Sequence, residues 1–453
     1  MKVHFIAIGG SAMHNLAIAL HKKGFNVTGS DDEIFEPSKG NLAKYSLLPE
    51  NNGWFPEKLN NTYDAVILGM HARADNPELL KAQELGLKIY SYPEYLYEQC
   101  KDKKRIVIGG SHGKTTITSM IMHVMLENNI DFDYMVGAQL EGFETMVKLT
   151  HEAKIAIFEG DEYLTSPIDL RPKFHLYKPH IALLSGVAWD HINVFPTFDI
   201  YVEQFKIFAN LIEPNGNLIY FENDTILASI AKEMKNIKTL PYGTPKHKLE
   251  NGITSIITKD EIYPMAVFGE HNLQNIAGSK LVCNEIGIND EQFYNAIKTF
   301  KGASKRLQLL ASTNNTSVYL DFAHSPSKLK ATTKAVKAQF PNRKLIACME
   351  LHTFSSLKED FLPQYKDSMN TADIAYIYFN PHTIEHKKLK QITEEQVAES
   401  FGGENVKVFT NANLLVNELL STSWENKNLL LMTSGNFSGI DFKDFAKKII
   451  ELN

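Results

Sequence analysis

Apolar residues recur along this chain in two patterns. Some form short unbroken runs, and others return every three or four positions over a longer stretch. The first pattern predicts buried strands and the second amphipathic helices. Residues 3–8 predict a strand, 13–22 a helix, 25–28 a second strand and 64–70 a third. An apolar run at 106–108 leads into glycines and then into helical spacing over 117–126. Further buried runs lie at 155–158 and 181–184, and a helix is expected to open near 268 and reach about 286. Strands at 317–320, 344–349, 374–379 and 429–432 alternate with helices, the first of them at 328–339. Alternation of this kind predicts parallel sheets, hence an α/β fold.

At 453 residues the chain is too long for one ordinary domain. Three are expected: a Rossmann-like domain at 1–102, a central domain at 103–301 and a second Rossmann-like α/β domain at 302–453. Residues 101–105 read as a charged linker between the first two. Hydrophobic content of 43% and charged content of 22% are those of a globular protein with a real core. The net charge of -6, with cations dispersed, argues against nucleic acid as a partner. Cys100, Cys283 and Cys348 are too few and too scattered for a disulfide framework or a zinc site. No run approaches the roughly 18 apolar residues of a membrane span, and the opening residues read as a first strand that stops at Gly9-Gly10 rather than as a leader. The expected location is cytoplasmic.

Chemistry concentrates at Gly109-Gly110-Ser111-His112-Gly113-Lys114-Thr115-Thr116, between a strand and a helix. Glycines let backbone N–H groups approach an anion, the helix N-terminus adds its dipole, and Lys114 adds a full charge. A hydroxyl directly after the lysine, here Thr115, suits magnesium held against a nucleotide's phosphates. The usual phosphate-loop pattern has one more glycine, which Ile108 replaces, so the motif is a shortened one. ATP is the expected ligand, and the central domain is therefore a P-loop ATPase domain. Glu159, the first residue past strand 155–158, can share the metal, and Trp189-Asp190-His191 follows strand 181–184. Asn272 and Asn275 stand three apart, on one face of a helix, where amides can read adenine. In the first domain, Gly9-Gly10-Ser11 and the acids after strand 25–28 suggest the start of a dinucleotide-type unit, without its spaced glycines. His71 and Arg73, in the loop before Asn76-Pro77, are placed to face an anion.

The shortened P-loop, Glu159-Gly160-Asp161-Glu162-Tyr163, Asp190-His191, Gly269-Glu270-His271-Asn272 with Asn275, and Asp321-Phe322-Ala323-His324 with Pro326 occur in one order. Together they resemble the Mur ligases, ATP-dependent amide-forming enzymes of peptidoglycan synthesis, over essentially the whole chain. Ile8-Gly9-Gly10-Ser11-Ala12-Met13 resembles the branch that holds UDP-N-acetylmuramic acid and joins an amine to its lactyl carboxylate. One member of that branch adds L-alanine. Another reattaches the recycled tripeptide L-alanyl-γ-D-glutamyl-meso-diaminopimelate. The segments 159–163 with 169–174, and 432–439, are similar to the tripeptide enzyme, which is the expected activity. Glu350-Leu351-His352-Thr353-Phe354-Ser355-Ser356 departs from the usual E-P-R-S-N-T, where the incoming peptide would be read.

The resemblance implies roles. Gly110, Ser111, His112, Gly113, Lys114, Thr115 and Thr116 would hold the triphosphate. Thr115 and Glu159 would share magnesium, and His191 would help bind a second ion, magnesium or manganese. Asn272 and Asn275 would hold adenine and Asp321 the ribose, with His324 close by. Arg306 would reach the γ-phosphate, and the last domain would close on ATP and bind the peptide. Gly9, Gly10, Ser11, Ala12, Met13, Ser30, Asp31, His71 and Asn76 would bind the UDP-sugar. Lys206, fifteen positions after His191, stands where several members carry a carbamylated lysine. A monomer or weak homodimer is expected. The readings set against these are a nucleotide-sugar sensor without catalysis and a folate polyglutamylating ligase of the same superfamily.

Overall fold

The structure is a computed structural model that describes residues 1–189, 194–250, 252–402 and 405–452. Contacts divide the chain into two compact units, Met1–Gly243 with Gln274–Ile297, and Thr244–Leu273 with Lys298–Asn453.

The first unit contains two parallel sheets. One takes the order Asn26–Ser30, Lys2–Ile6, Ala65–Leu68, Ile89–Ser91. Two of its helices start where side chains satisfy their free N–H groups. Asn76 Oδ1 accepts from the Glu78 and Leu79 amides ahead of helix Pro77–Glu84. Ser91 and Glu94 form a reciprocal cap at the head of helix Tyr92–Cys100. The second sheet runs Lys238–Tyr242, Asn217–Phe221, Ile181–Leu184, Lys104–Gly109, Ile155–Glu159, Asp133–Met135, Val147–Lys148, with the last pairing antiparallel. Ile106, Val107 and Ile108 are fully buried, as a central strand covered on both faces requires. From this strand the chain winds to one side and then crosses to the other. Its carboxyl end is thus a topological switch point, the place where open α/β sheets bind ligands.

The charged linker expected at 101–105 ends earlier than its charges suggest. Strand Lys104–Gly109 already includes Arg105, which is 2% exposed. A buried guanidinium persists only when its donors are satisfied. Arg105 Nε donates to the carbonyls of Tyr177 and Lys178 at 3.0 Å, and a terminal nitrogen pairs with Glu213 at 2.9 Å.

In the second unit, strands Ser317–Asp321, Lys427–Met432, Lys344–Leu351, Ile374–Phe379 and Val406–Phe409 are parallel, with Gln308–Ser312 antiparallel at one edge. Strand alternation builds a core on each face. Leu345, Ala347, Met349 and Leu351 enter one, and Ile346 and Cys348 the other. A meander, His247–Glu250, Ile253–Ile257 and Ile262–Pro264, docks on helix Pro326–Gln339. There Gln339 accepts from Thr254 Oγ1 at 2.8 Å and donates to the Gly252 carbonyl at 2.6 Å. Among the described residues no helix is long and apolar enough to cross a membrane.

Candidate active site

The turn after strand Lys104–Gly109 is shaped by Gly110 (φ 122°) and Gly113 (φ 77°), values that side chains with a Cβ rarely adopt. Gly113 also stands close to Asn275, whose Oδ1 would lie 2.7 Å from a Cβ placed there. Helix Lys114–Glu127 begins at once, and no side chain caps it. Its first N–H groups are therefore available to an anion. Ser185 Oγ donates to the His112 carbonyl, and Ser111 N to the Gly186 carbonyl at 2.9 Å, which fixes the loop against the end of the neighbouring strand.

Lys114 is 15% exposed and makes an ion pair with Glu162 at 2.6 Å, and it also donates to the Gly110 carbonyl at 2.8 Å. Burial alone would lower its pKa, but the attraction of Glu162, Asp161 and Glu159 outweighs this and raises it. Lys114 therefore stays cationic at the mouth of the loop. Glu162 is 1% exposed, and its second oxygen accepts from Tyr201 OH at 3.0 Å. Tyr201 OH also lies 2.9 Å from Ser111 Oγ, so a hydrogen-bonded chain links Lys114 back to the glycine loop. Sequence reasoning missed Tyr201, and it gave Glu162 no role. Their signals were the E-x-D-E-Y segment and an aromatic residue on the buried face of helix Phe198–Asn210.

Thr115 Oγ1 donates to Glu159 Oε1 at 2.8 Å, and Glu159 Oε2 accepts from the Gly137 amide at 2.7 Å. A buried hydroxyl beside a buried carboxylate is a hard oxygen pair that fits magnesium, which takes few protein ligands. Thr116 is buried on the same first turn. His191, like Asp190, lies outside the described residues. Lys206 sits half-buried on helix Phe198–Asn210.

In the N-terminal sheet, the Gly9 amide donates to Asp31 Oδ2 at 2.7 Å, so the glycine turn and the acid after the second strand do meet. Burial raises the Asp31 carboxyl to about 6, against the pull of that amide. Gly10 precedes helix Ser11–Lys22, on which Met13 is buried and Ala12 is half-buried. Ser30 is buried at the strand end, and Asn76 uses its Oδ1 as a helix cap. His71 is exposed, and Arg73 pairs with Asp75 at 2.9 Å in the same exposed loop.

In the second unit, Asp321 ends strand Ser317–Asp321 and receives two amides, Leu307 N at 2.5 Å and Ala323 N at 2.7 Å. Burial raises its pKa, opposed by Arg306 and those amides. Lys305 (φ 53°) and Leu307 (φ 47°) hold left-handed backbone on either side of Arg306, whose guanidinium lies 4.5 Å from the Phe322 ring centre. His324 Nδ1 is 2.8 Å from the Phe322 carbonyl. Asn272 belongs to this unit and Asn275 to the first. Asn272 donates to the Phe268 carbonyl at 2.8 Å and lines a cavity of about 170 Å³ with Phe268, Tyr319 and Phe340.

A glycine loop, a lysine at a helix N-terminus and a hydroxyl–carboxylate pair at the switch point of a parallel sheet define a P-loop nucleotide-binding protein. Three domains of one family match the chain: the Mur ligase family, catalytic domain over residues 2–104, the Mur ligase middle domain over 108–283, and the Mur ligase, glutamate ligase domain over 305–435. The UDP-N-acetylmuramate--L-alanine ligase of Clostridium beijerinckii is 28% identical, covering 90% of this chain and 88% of that protein. Among solved structures, a murein peptide ligase from Psychrobacter arcticus covers 100% of this chain and 98% of its own at a TM-score of 0.65 and 21% identity. The UDP-N-acetylmuramate-alanine ligase of Thermotoga maritima does so at 0.71 and 18% identity, with the same coverage. The chain belongs to the Mur ligase family, and it is an ATP-dependent ligase of peptidoglycan synthesis acting on small-molecule substrates.

Proposed function

We propose that this ligase joins the lactyl carboxylate of UDP-N-acetylmuramic acid to the amine of the tripeptide L-alanyl-γ-D-glutamyl-meso-diaminopimelate, in peptidoglycan recycling. The observation that carries this reading is the tie between the two halves of the tripeptide-type motif. Hairpin Leu164–Ser166 with Asp169–Pro172 returns the chain so that Lys173 pairs with Asp161 at 2.6 Å. The Lys173 amide donates to the Tyr163 carbonyl at 3.0 Å and the Phe174 amide to that of Asp161 at 3.1 Å. Segments 159–163 and 169–174 thus form one structural element, and that element delivers Glu162 to Lys114.

A carboxylate is a poor electrophile, so the γ-phosphoryl group of ATP is first transferred to it, giving an acyl phosphate and ADP. Lys114 and the amides at the start of helix Lys114–Glu127 receive the triphosphate and offset its repulsion from the incoming carboxylate. Thr115 and Glu159 would hold magnesium, which neutralises phosphate charge as it shifts in the transfer. Glu162 and Tyr201 keep the lysine aimed along the loop. The amine then attacks the acyl carbon and phosphate leaves. On the family resemblance, Asn272 and Asn275 are assigned to adenine, Asp321 and His324 to the ribose side and Arg306 to the γ-phosphate. Gly9 to Met13, Ser30, Asp31, His71 and Asn76 are assigned to the UDP-sugar, and His191 to a second metal ion.

The name carried by the curated relatives favours L-alanine as the acceptor instead. Magnesium-dependent ADP release with UDP-N-acetylmuramic acid, followed by mass spectrometry of the product, separates the two. The expected result is turnover with the tripeptide and little with L-alanine. Preference for L-alanine would reject the recycling assignment and leave the ligase chemistry standing.

A further inference from the structure

At the carboxyl end of the C-terminal sheet lies a carboxylate–imidazole pair that the roles above leave unused. Glu350 is buried near the end of strand Lys344–Leu351. Its Oε2 accepts from Thr433 Oγ1 and from the Phe437 amide at 2.9 Å, so the turn after strand Lys427–Met432 holds that oxygen in place. That turn is itself pinned. Phe437 (φ 48°) and Ser438 (φ 60°) are both left-handed, and Ser438 Oγ is held by Tyr378 OH at 2.6 Å and by Asn380 Nδ2 at 3.1 Å. The other oxygen of Glu350 faces His352 Nδ1 at 3.9 Å, and His352 is 40% exposed.

The approach of the two side chains depends on Gly435. A Cβ there would stand 2.8 Å from Glu350 Oε2 and 2.9 Å from His352 Cγ. Glu350 Oε1 is the carboxylate oxygen within ion-pair range of the His352 ring. Lys358, on the following turn, lies over the Phe354 ring at 4.6 Å instead. A fixed carboxylate behind Nδ1 of a half-exposed imidazole orients the ring and leaves Nε2 as the nitrogen that can meet a substrate. The 3.9 Å separation is longer than a hydrogen bond, as is common for catalytic groups without substrate.

Resting on the ligase reading, we infer that His352 is the base that deprotonates the acceptor amine and that Glu350 is its positioning residue. An α-amine with a pKa of about 8 is mostly ammonium at neutral pH and has no lone pair for attack. The ammonium gives one proton to His352 Nε2. The freed lone pair then forms the C–N bond to the acyl carbon, and the C–O bond to phosphate breaks with its electron pair. The second amine proton leaves with the phosphate, and the imidazolium returns its proton to water.

The test uses two acceptors with His352→Gln, whose half-exposed site tolerates the change. Amide synthesis with the peptide is expected to fall about 10²-fold at pH 7, and the deficit should shrink as pH rises past the amine's own pKa. Hydroxylamine is already unprotonated at neutral pH and needs no base, so hydroxamate formation from UDP-N-acetylmuramic acid and ATP should change little. Glu350→Gln should show the same split to a smaller degree. Loss of both reactions together, a rise in acceptor KM with no change in pH profile, or full amide synthesis in His352→Gln would overturn the assignment. Failure of the unsubstituted protein to form hydroxamate would overturn the ligase reading itself, and this assignment with it.

Discussion

Lys114→Ala is expected to abolish ADP formation, by about 10³-fold or more, while UDP-sugar binding survives. The charge it removes is the cation on which the glycine loop, the helix N-terminus and the Glu162 pair converge. Transfer of a phosphoryl group to a carboxylate brings two anions together. Fixed positive charge in a partly dry site therefore contributes far more than the same charge in water. The Gly9–Asp31 turn of the N-terminal sheet draws on other strands altogether, so the sugar nucleotide should bind as before. Isothermal titration with UDP-N-acetylmuramic acid, beside a coupled ADP assay, reads both halves. Parallel loss of binding and turnover in a folded variant would contradict this division of labour.

The second large effect is on stability. Glu162→Ala leaves Lys114 buried without its carboxylate partner and removes one of the hydrogen bonds of Tyr201 OH. Breaking a buried ion pair from one side costs about 3–5 kcal/mol. We expect an unfolding free energy lower by that amount, read as a lower urea midpoint at unchanged slope. The double variant Lys114→Ala with Glu162→Ala should lose clearly less than the sum of the two single changes, because no charge is left stranded. Additive losses would mean that the pair is not coupled in solution.

Glu162 also marks where the sequence stops being legible. Glycines, a lysine and a threonine between a strand and a helix announce a phosphate site, because every part is local. The pairing of Lys114 with Glu162 joins residues 48 positions apart and depends on the hairpin that follows Glu162. No spacing rule reaches across that distance. Arg105 failed for a related reason. A cation next to other cations reads as solvent-exposed, and only the folded chain supplies the carbonyls of Tyr177 and Lys178 that allow its burial. The family resemblance makes Asp321 a ribose ligand, and the fold adds that both its oxygens receive amides of loops around it, at Leu307 and Ala323. The central strands were legible, since unbroken apolar runs survive any tertiary arrangement, whereas strands Asn217–Phe221 and Lys238–Tyr242, the meander from His247 to Pro264 and helix Phe198–Asn210 were not. Ends shifted by a few residues where caps decide them, as at Pro326, which starts its helix two residues before the predicted 328.

The chemistry proposed for the site makes the substrate carboxylate, rather than water, the phosphoryl acceptor. Its most direct test is to supply UDP-N-acetylmuramic acid with ¹⁸O in the lactyl carboxylate, together with ATP, magnesium and the tripeptide. One labelled oxygen is expected in each phosphate released, carried over when the amine displaces the acyl phosphate. Unlabelled phosphate, or label appearing in AMP, would contradict it.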